Sequence, residues 1–157
     1  MSVHVGQKVP NVPLITTDRT PVQLSDVLGR PTVLLFFPGA FTGVCTKEMC
    51  AFRDEMNRFT EMGAQVLAIS VDSPFAQAAF RDANRLPFTL LSDFGREAVK
   101  AFGVEDPNFL KGLMAGVAKR SVFVLDAGGT VTYRWVSENP GVEPNYDEVA
   151  AAVQQTT

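Results

Sequence analysis

Short apolar runs alternate with amphipathic stretches along the chain. The run TVLLFF at residues 32–37 is continuously apolar and has turn residues on both sides, which is typical of a strand buried on both faces. The segments AQVLAISVD at 64–72 and FTLLSD at 88–93 have the same character. The pattern therefore predicts three buried strands in the first two-thirds of the chain.

The stretches between these strands have the spacing of helices. After residue 41, apolar side chains recur every three or four positions and charged side chains occupy the other face, so we predict a helix that begins near Thr42 or Gly43. Its apolar positions are Val44, Met49, Phe52, Met56 and Phe59, and Gly63 offers a stop. Further helices are predicted over 73–85, over 96–103, and from Tyr146 to Gln154 after Asn145 as N-cap.

Two hairpins are predicted outside this alternation. The segments NVPLITTD and TPVQLSD form a short N-terminal hairpin, which we expect to cover the sheet as a lid, with Ser25 capping a brief helical turn. Residues 120–138 form a second hairpin across a Gly-Gly turn. Residues 103–119 are the least regular, either a mobile loop with partner contacts or a surface excursion with its own small apolar cluster. The predicted fold is α/β, a central mixed β-sheet flanked by helices, in one domain over 1–157.

Composition limits the possible functions. A chain of 157 residues with 46% hydrophobic and 20% charged content is typical of one domain that folds without a disulfide or structural metal. The net charge of -3 and the scattered Lys and Arg residues argue against nucleic-acid binding. With no secretory signal pattern and no apolar run of about 18 residues, we expect a cytoplasmic protein without membrane contact.

The two cysteines are the strongest candidates for chemistry. Cys45 falls in the first turn of a predicted helix, where free N–H groups and the positive end of the helix dipole favour a thiolate, and we expect it to be reachable from solvent. The lone His4 lies far away in sequence, which argues against a cysteine protease, and a zinc site would lack ligands.

The spacing between Cys45 and Cys50 gives the pair a further property. On an ideal helix their Cα atoms would lie ~8.6 Å apart, whereas a disulfide needs about 7 Å or less. The two thiols can therefore bond only if the first helical turns unwind. Cys50 is equally well interpreted as a small buried hydrophobe, and Thr42 as a plain N-cap or as a hydrogen-bond donor to a thiolate.

The motif PGAFTGVC resembles the P-x-x-x-T-x-x-C pattern of the peroxiredoxin family, and CTKEMC resembles its bacterioferritin-comigratory (PrxQ) branch. The resemblance extends over nearly the whole chain, through VGQKVPNVPL, LAISVDSP, FTLLSD and AKRSVFVLDAGGTV. It implies a thioredoxin fold and a thiol-dependent peroxidase that reduces hydrogen peroxide or small organic hydroperoxides, with no metal, haem or flavin.

The resemblance also implies roles for individual residues. Cys45 would be oxidised by peroxide to a sulfenic acid, Thr42 would hydrogen-bond the peroxide and the thiolate, and Pro38 would shield the pocket. Arg120 would stabilise the negative charge at the reacting sulfur and oxygens. The plain alternative is an arginine at a strand end on the surface. Glu48 would orient that arginine, or would simply be a solvated carboxylate in the first helical turn.

The resemblance leaves the fate of the sulfenic acid open. In the PrxQ-like interpretation, Cys50 attacks Cys45 to give an intramolecular disulfide that a thioredoxin-like protein reduces. The phrase FFP-x-AFTG-x-C also resembles the one-cysteine AhpE-like branch, in which an external thiol reduces Cys45 and Cys50 is a bystander. A redox sensor on the same fold, without turnover, is the third alternative. The protein would be a monomer or a homodimer.

Overall fold

The computed structural model describes residues 2–156, so the first and last residues of the predicted domain lie outside the described residues. The strands are β1 Pro13–Thr16, β2 Pro21–Gln23, β3 Thr32–Phe36, β4 Gln65–Ser70, β5 Thr89–Ser92, β6 Glu105–Asp106, β7 Val117–Ala118, β8 Ser121–Leu125 and β9 Val131–Val136. The helices are α1 Leu24–Val27, α2 Gly43–Asp54, α3 Met56–Glu61, α4 Pro74–Asn84, α5 Glu97–Ala101 and α6 Tyr146–Thr156.

A mixed seven-stranded sheet forms the centre, in the order β2-β1-β5-β4-β3-β8-β9. Strand β3 is parallel to β4 and antiparallel to β8, and all five of its residues are buried. Alternate side chains of β3 enter different cores: Leu35 belongs to the cluster that contains residues of α2, α3, α4 and α6, whereas Leu34 belongs to the cluster that contains residues of α1 and α5. The sheet is therefore covered by helices on both faces, which confirms the predicted arrangement.

The predicted N-terminal hairpin is present, but it is not a lid. Strands β1 and β2 pair antiparallel, and β1 also pairs with β5, so the hairpin extends the edge of the sheet. Ser25 is not the cap of the helical turn either. The turn begins two residues earlier than predicted, so Gln23 is the N-cap of α1. Its backbone N–H donates to the Asp26 carboxylate.

The helix predicted after residue 41 begins at Gly43 as expected, but it is divided into α2 and α3 at Glu55. The backbone N–H of Glu55 is shared between the carbonyls of Ala51 and Phe52, each at 3.2 Å, which tightens the turn locally. Phe59 stays fully buried beyond the break, so the apolar stripe continues. The short break explains why spacing alone predicts one helix.

The C-terminal third has the predicted hairpin between β8 and β9 and the predicted last helix. Asn145 caps that helix, since its Oδ1 accepts a hydrogen bond from the Glu148 N–H at 3.1 Å. Residues 103–119 are tied together by β6 and β7, and Leu110, Leu113 and Met114 are exposed rather than gathered in a cluster of their own. No helix among residues 2–156 is both long and apolar enough to cross a membrane.

Candidate active site

Cys45 is the third residue of α2 and is delivered there by the loop that follows β3. The loop turns sharply at Phe41, which has a left-handed backbone with φ of 64°. Two contacts hold this turn: the Ala40 N–H donates to the Asp72 carboxylate at 2.8 Å, and the exposed Phe41 ring packs edge-on against Phe80. The N-terminus of α2 is thereby fixed against the residues that follow β4 and against the middle of α4.

The expectation that Cys45 is reachable from solvent is wrong. Its exposed fraction is 0%, and the thiol belongs to the core cluster that also contains Met49 and Phe52. These three residues are spaced by four and then three positions, so they lie on one face of α2. The apolar face of the helix therefore begins at Cys45, and the same spacing that predicts the helix also buries its first thiol.

Arg120 is the charged group that the fold brings to Cys45. It directly precedes β8, and the antiparallel register pairs Phe36 with Ser121, so Arg120 lies beside the carboxyl end of β3. The guanidinium is 2% exposed and donates to the Pro140 carbonyl from Nε at 3.2 Å and from Nη2 at 3.0 Å. A surface position for this arginine, the plain alternative, is thus wrong.

Glu48 fixes the remaining end of the guanidinium. Arg120 Nη1 donates to Glu48 Oε1 at 2.9 Å, and Glu48 is 0% exposed. The alternative of a solvated carboxylate is therefore wrong: Glu48 comes three residues after Cys45, which places its side chain on the same side of α2 as the buried thiol. Glu48 Oε2 has no hydrogen-bond partner among residues 2–156.

Burial and charge act in opposite directions on this pair. Desolvation raises the pKa of Glu48 to about 7 despite the attraction of Arg120. Burial alone would lower the pKa of Arg120, but the interactions of its guanidinium with Glu48 and with Cys45 raise the pKa above its ordinary value. Arg120 therefore keeps its positive charge next to the Cys45 sulfur.

A second layer of charged groups lies behind Glu48, and sequence reasoning missed it. The Tyr146 hydroxyl donates to Glu143 Oε1 at 2.6 Å, and Lys47 pairs with Glu143 at 3.2 Å. The hydrogen bond from Tyr146 holds the pKa of Glu143 below its usual value, whereas burial and Glu143 raise the pKa of Tyr146. Glu143 and Tyr146 lie about a hundred positions from Cys45, and no local pattern in the sequence marks them.

The other two predicted residues, Pro38 and Thr42, lie in the loop between β3 and α2, and Pro38 is not among the residues that line the pocket described below. Pro38 is buried in the loop after β3. Thr42 is the N-cap of α2 by position, but its hydroxyl does not accept a helix N–H and instead donates to the Gly39 carbonyl at 3.0 Å. A surface pocket of about 240 Å³ opens beside Thr42, lined by Thr42, Gly43, Val44, Phe109, Leu110, Arg120, Pro140 and Gly141. It leads to the guanidinium that contacts Cys45.

Cys50 is placed apart from these groups. Both cysteines are free, and α2 is helical throughout. The two observations agree, because an intact helix keeps residues at this spacing too far apart for a disulfide. Cys50 is half-buried, and its Sγ lies 3.7 Å from Asn84 Oδ1 at the end of α4. Within residues 2–156, no three His, Cys, Asp or Glu side chains are grouped so that they could hold a metal ion.

The comparisons with known proteins agree with this geometry. Residues 5–134 match the AhpC/TSA family. The chain is 42% identical over 131 residues to the chloroplastic peroxiredoxin Q of Oryza sativa subsp. japonica. The aligned region covers 83% of this chain and 58% of that relative. A putative peroxiredoxin of Mycobacterium tuberculosis is 40% identical over 126 residues, covering 80% of each chain.

Solved structures show the same likeness. The crystal structure of peroxidoxin BcpB from Mycobacterium tuberculosis superposes with a TM-score of 0.83 and 33% sequence identity, over 99% of both chains. The predicted thioredoxin fold is confirmed by this neighbour. The chain spans 58% of the length of the rice relative, but its own residues match the family from the N-terminal hairpin to β9. The chain belongs to the AhpC/TSA family and is a peroxiredoxin.

Proposed function

We propose that the protein is a thiol-dependent peroxidase that reduces hydrogen peroxide or small organic hydroperoxides. The observation that carries the proposal is the arrangement of one thiol and one cation: Cys45 lies in the first turn of α2 and interacts with Arg120, whose other nitrogens are fixed by Glu48 and Pro140. A guanidinium that is already positioned costs no reorganisation when charge develops in the transition state.

The proposed reaction begins with attack of the Cys45 thiolate on the outer oxygen of the hydroperoxide. The sulfur–oxygen bond forms as the oxygen–oxygen bond breaks, and the leaving oxygen takes up a proton to give water or an alcohol. Cys45 is left as a sulfenic acid, oxidised by two electrons. Arg120, which lines the pocket, would donate hydrogen bonds to the oxygens while negative charge moves onto the leaving group. The Thr42 hydroxyl, also in the pocket lining, would join it by exchanging its bond to the Gly39 carbonyl for one to the peroxide.

Cys50 is proposed to complete the cycle. Its sulfur attacks the sulfenic sulfur, water leaves, and an intramolecular disulfide forms, which a thioredoxin-like protein then reduces back to two thiols. This step requires α2 to unwind, because the two Cα atoms of an ideal helix at this spacing are ~8.6 Å apart. The break at Glu55 allows α2 to open without unfolding α3.

Burial of Cys45 sets a condition on the first step. With an exposed fraction of 0%, the thiol is reached only through the pocket beside Thr42 and Arg120 or by a small opening of the first turn of α2. The pocket favours small substrates, since it holds about 240 Å³. Location in the cytoplasm stays a prediction from the sequence, and the plant relatives are named chloroplastic. The oligomeric state, a monomer or a homodimer, is likewise a prediction.

Two cysteine variants test the proposal. Cys45→Ser should abolish peroxide turnover with every reductant, whereas Cys50→Ser should stop thioredoxin-driven turnover and leave one burst of peroxide consumption per protein. Intact mass after one equivalent of peroxide should show the loss of two hydrogens in the wild type and the gain of one oxygen in Cys50→Ser. Unchanged turnover in Cys50→Ser would favour the one-cysteine mechanism, and turnover by Cys45→Ser would refute the peroxidase assignment to this thiol.

A further inference from the structure

Asn84, the last residue of α4, makes three contacts that together hold the second cysteine. Its Nδ2 donates to the Phe80 carbonyl at 3.0 Å, and its backbone carbonyl accepts a hydrogen bond from Arg53 Nη1 at 2.8 Å. Its Oδ1 lies 3.7 Å from the Cys50 sulfur and accepts from the thiol. One residue of α4 is therefore bonded to two residues of α2 that lie about one helical turn apart.

The direction of the Cys50 contact is fixed by the rest of this arrangement. Because Nδ2 is used by the Phe80 carbonyl, the atom that faces the sulfur is the oxygen Oδ1, which has no hydrogen to donate. The bond exists only while Cys50 carries its proton, since a thiolate would place two acceptors against each other. Attack on a sulfenic acid requires a thiolate, so Cys50 cannot attack Cys45 while this contact is intact.

The same face of α4 also contacts the other end of the segment from Phe41 to Cys50, which must rearrange before a disulfide can form. Phe80, one turn before Asn84, packs against the Phe41 ring at a centroid distance of 5.2 Å, just ahead of the first turn of α2. The segment that must open is therefore held by α4 at both ends, through Phe41 on Phe80 and through Cys50 on Asn84. The Cys50 contact must break before the two sulfurs can meet, because the thiol cannot both donate to Asn84 and bond Cys45.

We propose that Asn84 is a positioning residue for the second chemical step: its side-chain oxygen and backbone carbonyl hold Cys50 and Arg53 of α2 in place, and so set the rate at which the Cys45–Cys50 disulfide forms. The inference rests on the proposed two-cysteine function. It goes beyond that function by assigning to α4 the control over how long the sulfenic acid survives. A longer-lived sulfenic acid can react with a second hydroperoxide, which gives a sulfinic acid and water or an alcohol.

Two substitutions at this position should change the rate of disulfide formation in opposite directions. Asn84→Ala removes the acceptor and should speed disulfide formation by about fivefold, the effect of one ordinary hydrogen bond. Asn84→Asp loses the bond from Nδ2 to the Phe80 carbonyl but turns an oxygen of full negative charge toward the Cys50 thiol and Arg53, which strengthens those contacts and should slow the step by about threefold. Asp82→Ala, at an exposed position on the same turn of α4, is the matched control and should leave the rate unchanged.

The experiment separates the two chemical steps by quenched flow. Wild type and variants are mixed with hydrogen peroxide, quenched with a thiol-alkylating reagent at successive times, and weighed as intact proteins. The rate of Cys45 oxidation should stay within twofold of wild type in all variants, and the peroxide concentration that gives half sulfinic acid should rise for Asn84→Ala and fall for Asn84→Asp. A general loss of packing would move both variants in the same direction.

The possible outcomes are distinct. Opposite changes in the two Asn84 variants support the inference. Wild-type rates in both variants, or changes of the same sign, overturn the inference while leaving the two-cysteine function in place. A wild-type protein that gains one oxygen and forms no disulfide overturns the two-cysteine function and this inference with it.

Discussion

Replacement of Glu48 by Gln should remove a pH dependence of stability that the buried carboxylate creates. Glu48 is 0% exposed, and burial raises its pKa from 4.5 to about 7 in the folded protein. Between these values the folded chain keeps a proton that the unfolded chain has released, so the free energy of unfolding falls as the pH rises. The stabilisation is complete below about pH 4.5 and is lost by the time the pH exceeds about 7.

The size of this effect follows from the displacement of the pKa. At 1.36 kcal/mol for each pH unit, a carboxyl pKa moved from 4.5 to about 7 corresponds to about 3 kcal/mol of unfolding free energy. Gln has nearly the shape of Glu, and its side-chain oxygen can still accept from Arg120 Nη1, but it does not titrate. Part of this fall lies below pH 5, so the difference in unfolding free energy between Glu48→Gln and wild type should shift by about 2.5 kcal/mol in favour of the variant between pH 5 and pH 8.

The assay is urea denaturation of both proteins at several pH values between 5 and 8. Both should carry Cys45→Ser, so that titration of the thiol does not contribute. Glu61→Gln, which removes the same charge at an exposed position of α3, is the control and should shift by less than about 0.5 kcal/mol. Parallel pH profiles for wild type and Glu48→Gln would refute the reasoning, because they would show that the buried carboxyl titrates as it does in the unfolded chain.

Three further outcomes test the surroundings of the thiol. Arg120→Lys loses the fixed planar donors and should lower the rate constant of Cys45 with hydrogen peroxide, by stopped flow, about 100-fold with little change in fold by circular dichroism. Asp72→Ala frees the Ala40 N–H and should cost about 1–2 kcal/mol in urea denaturation; an unchanged midpoint would contradict this. Leu110→Ala removes apolar surface from the exposed wall of the pocket. In steady-state assays it should raise KM for a bulky hydroperoxide, which loses an apolar contact, and leave KM for hydrogen peroxide unchanged.

The elements that carry the site could be predicted because their signals are local. Strand β3 is a continuous apolar run with turn residues on both sides, and α2 begins within one residue of its predicted start. The break at Glu55 was not predictable from spacing, since the apolar stripe resumes at Phe59. Likewise, pairing of β1 with β5 depends on a distant strand edge, so the hairpin was wrongly expected to be a lid.

The inner part of the site depends on contacts that are distant in sequence. Arg120 meets Glu48 across 72 positions because the register of β8 on β3 places it there. Neither the burial of Glu48 nor the Tyr146–Glu143 pair behind it leaves a mark in the local pattern. The resemblance to peroxiredoxins predicted Arg120 as a residue of the site. Its hydrogen bonds to Glu48 and Pro140 are visible only in the folded chain.

The most direct measurement is the rate constant of wild-type Cys45 with hydrogen peroxide, by stopped flow, beside that of free cysteine at the same pH and compared per thiolate. A thiol held against a fixed guanidinium should react at least about 100-fold faster than free cysteine thiolate. A rate equal to that of free cysteine thiolate would contradict the claim that Arg120 and its partners make this sulfur a peroxidase nucleophile.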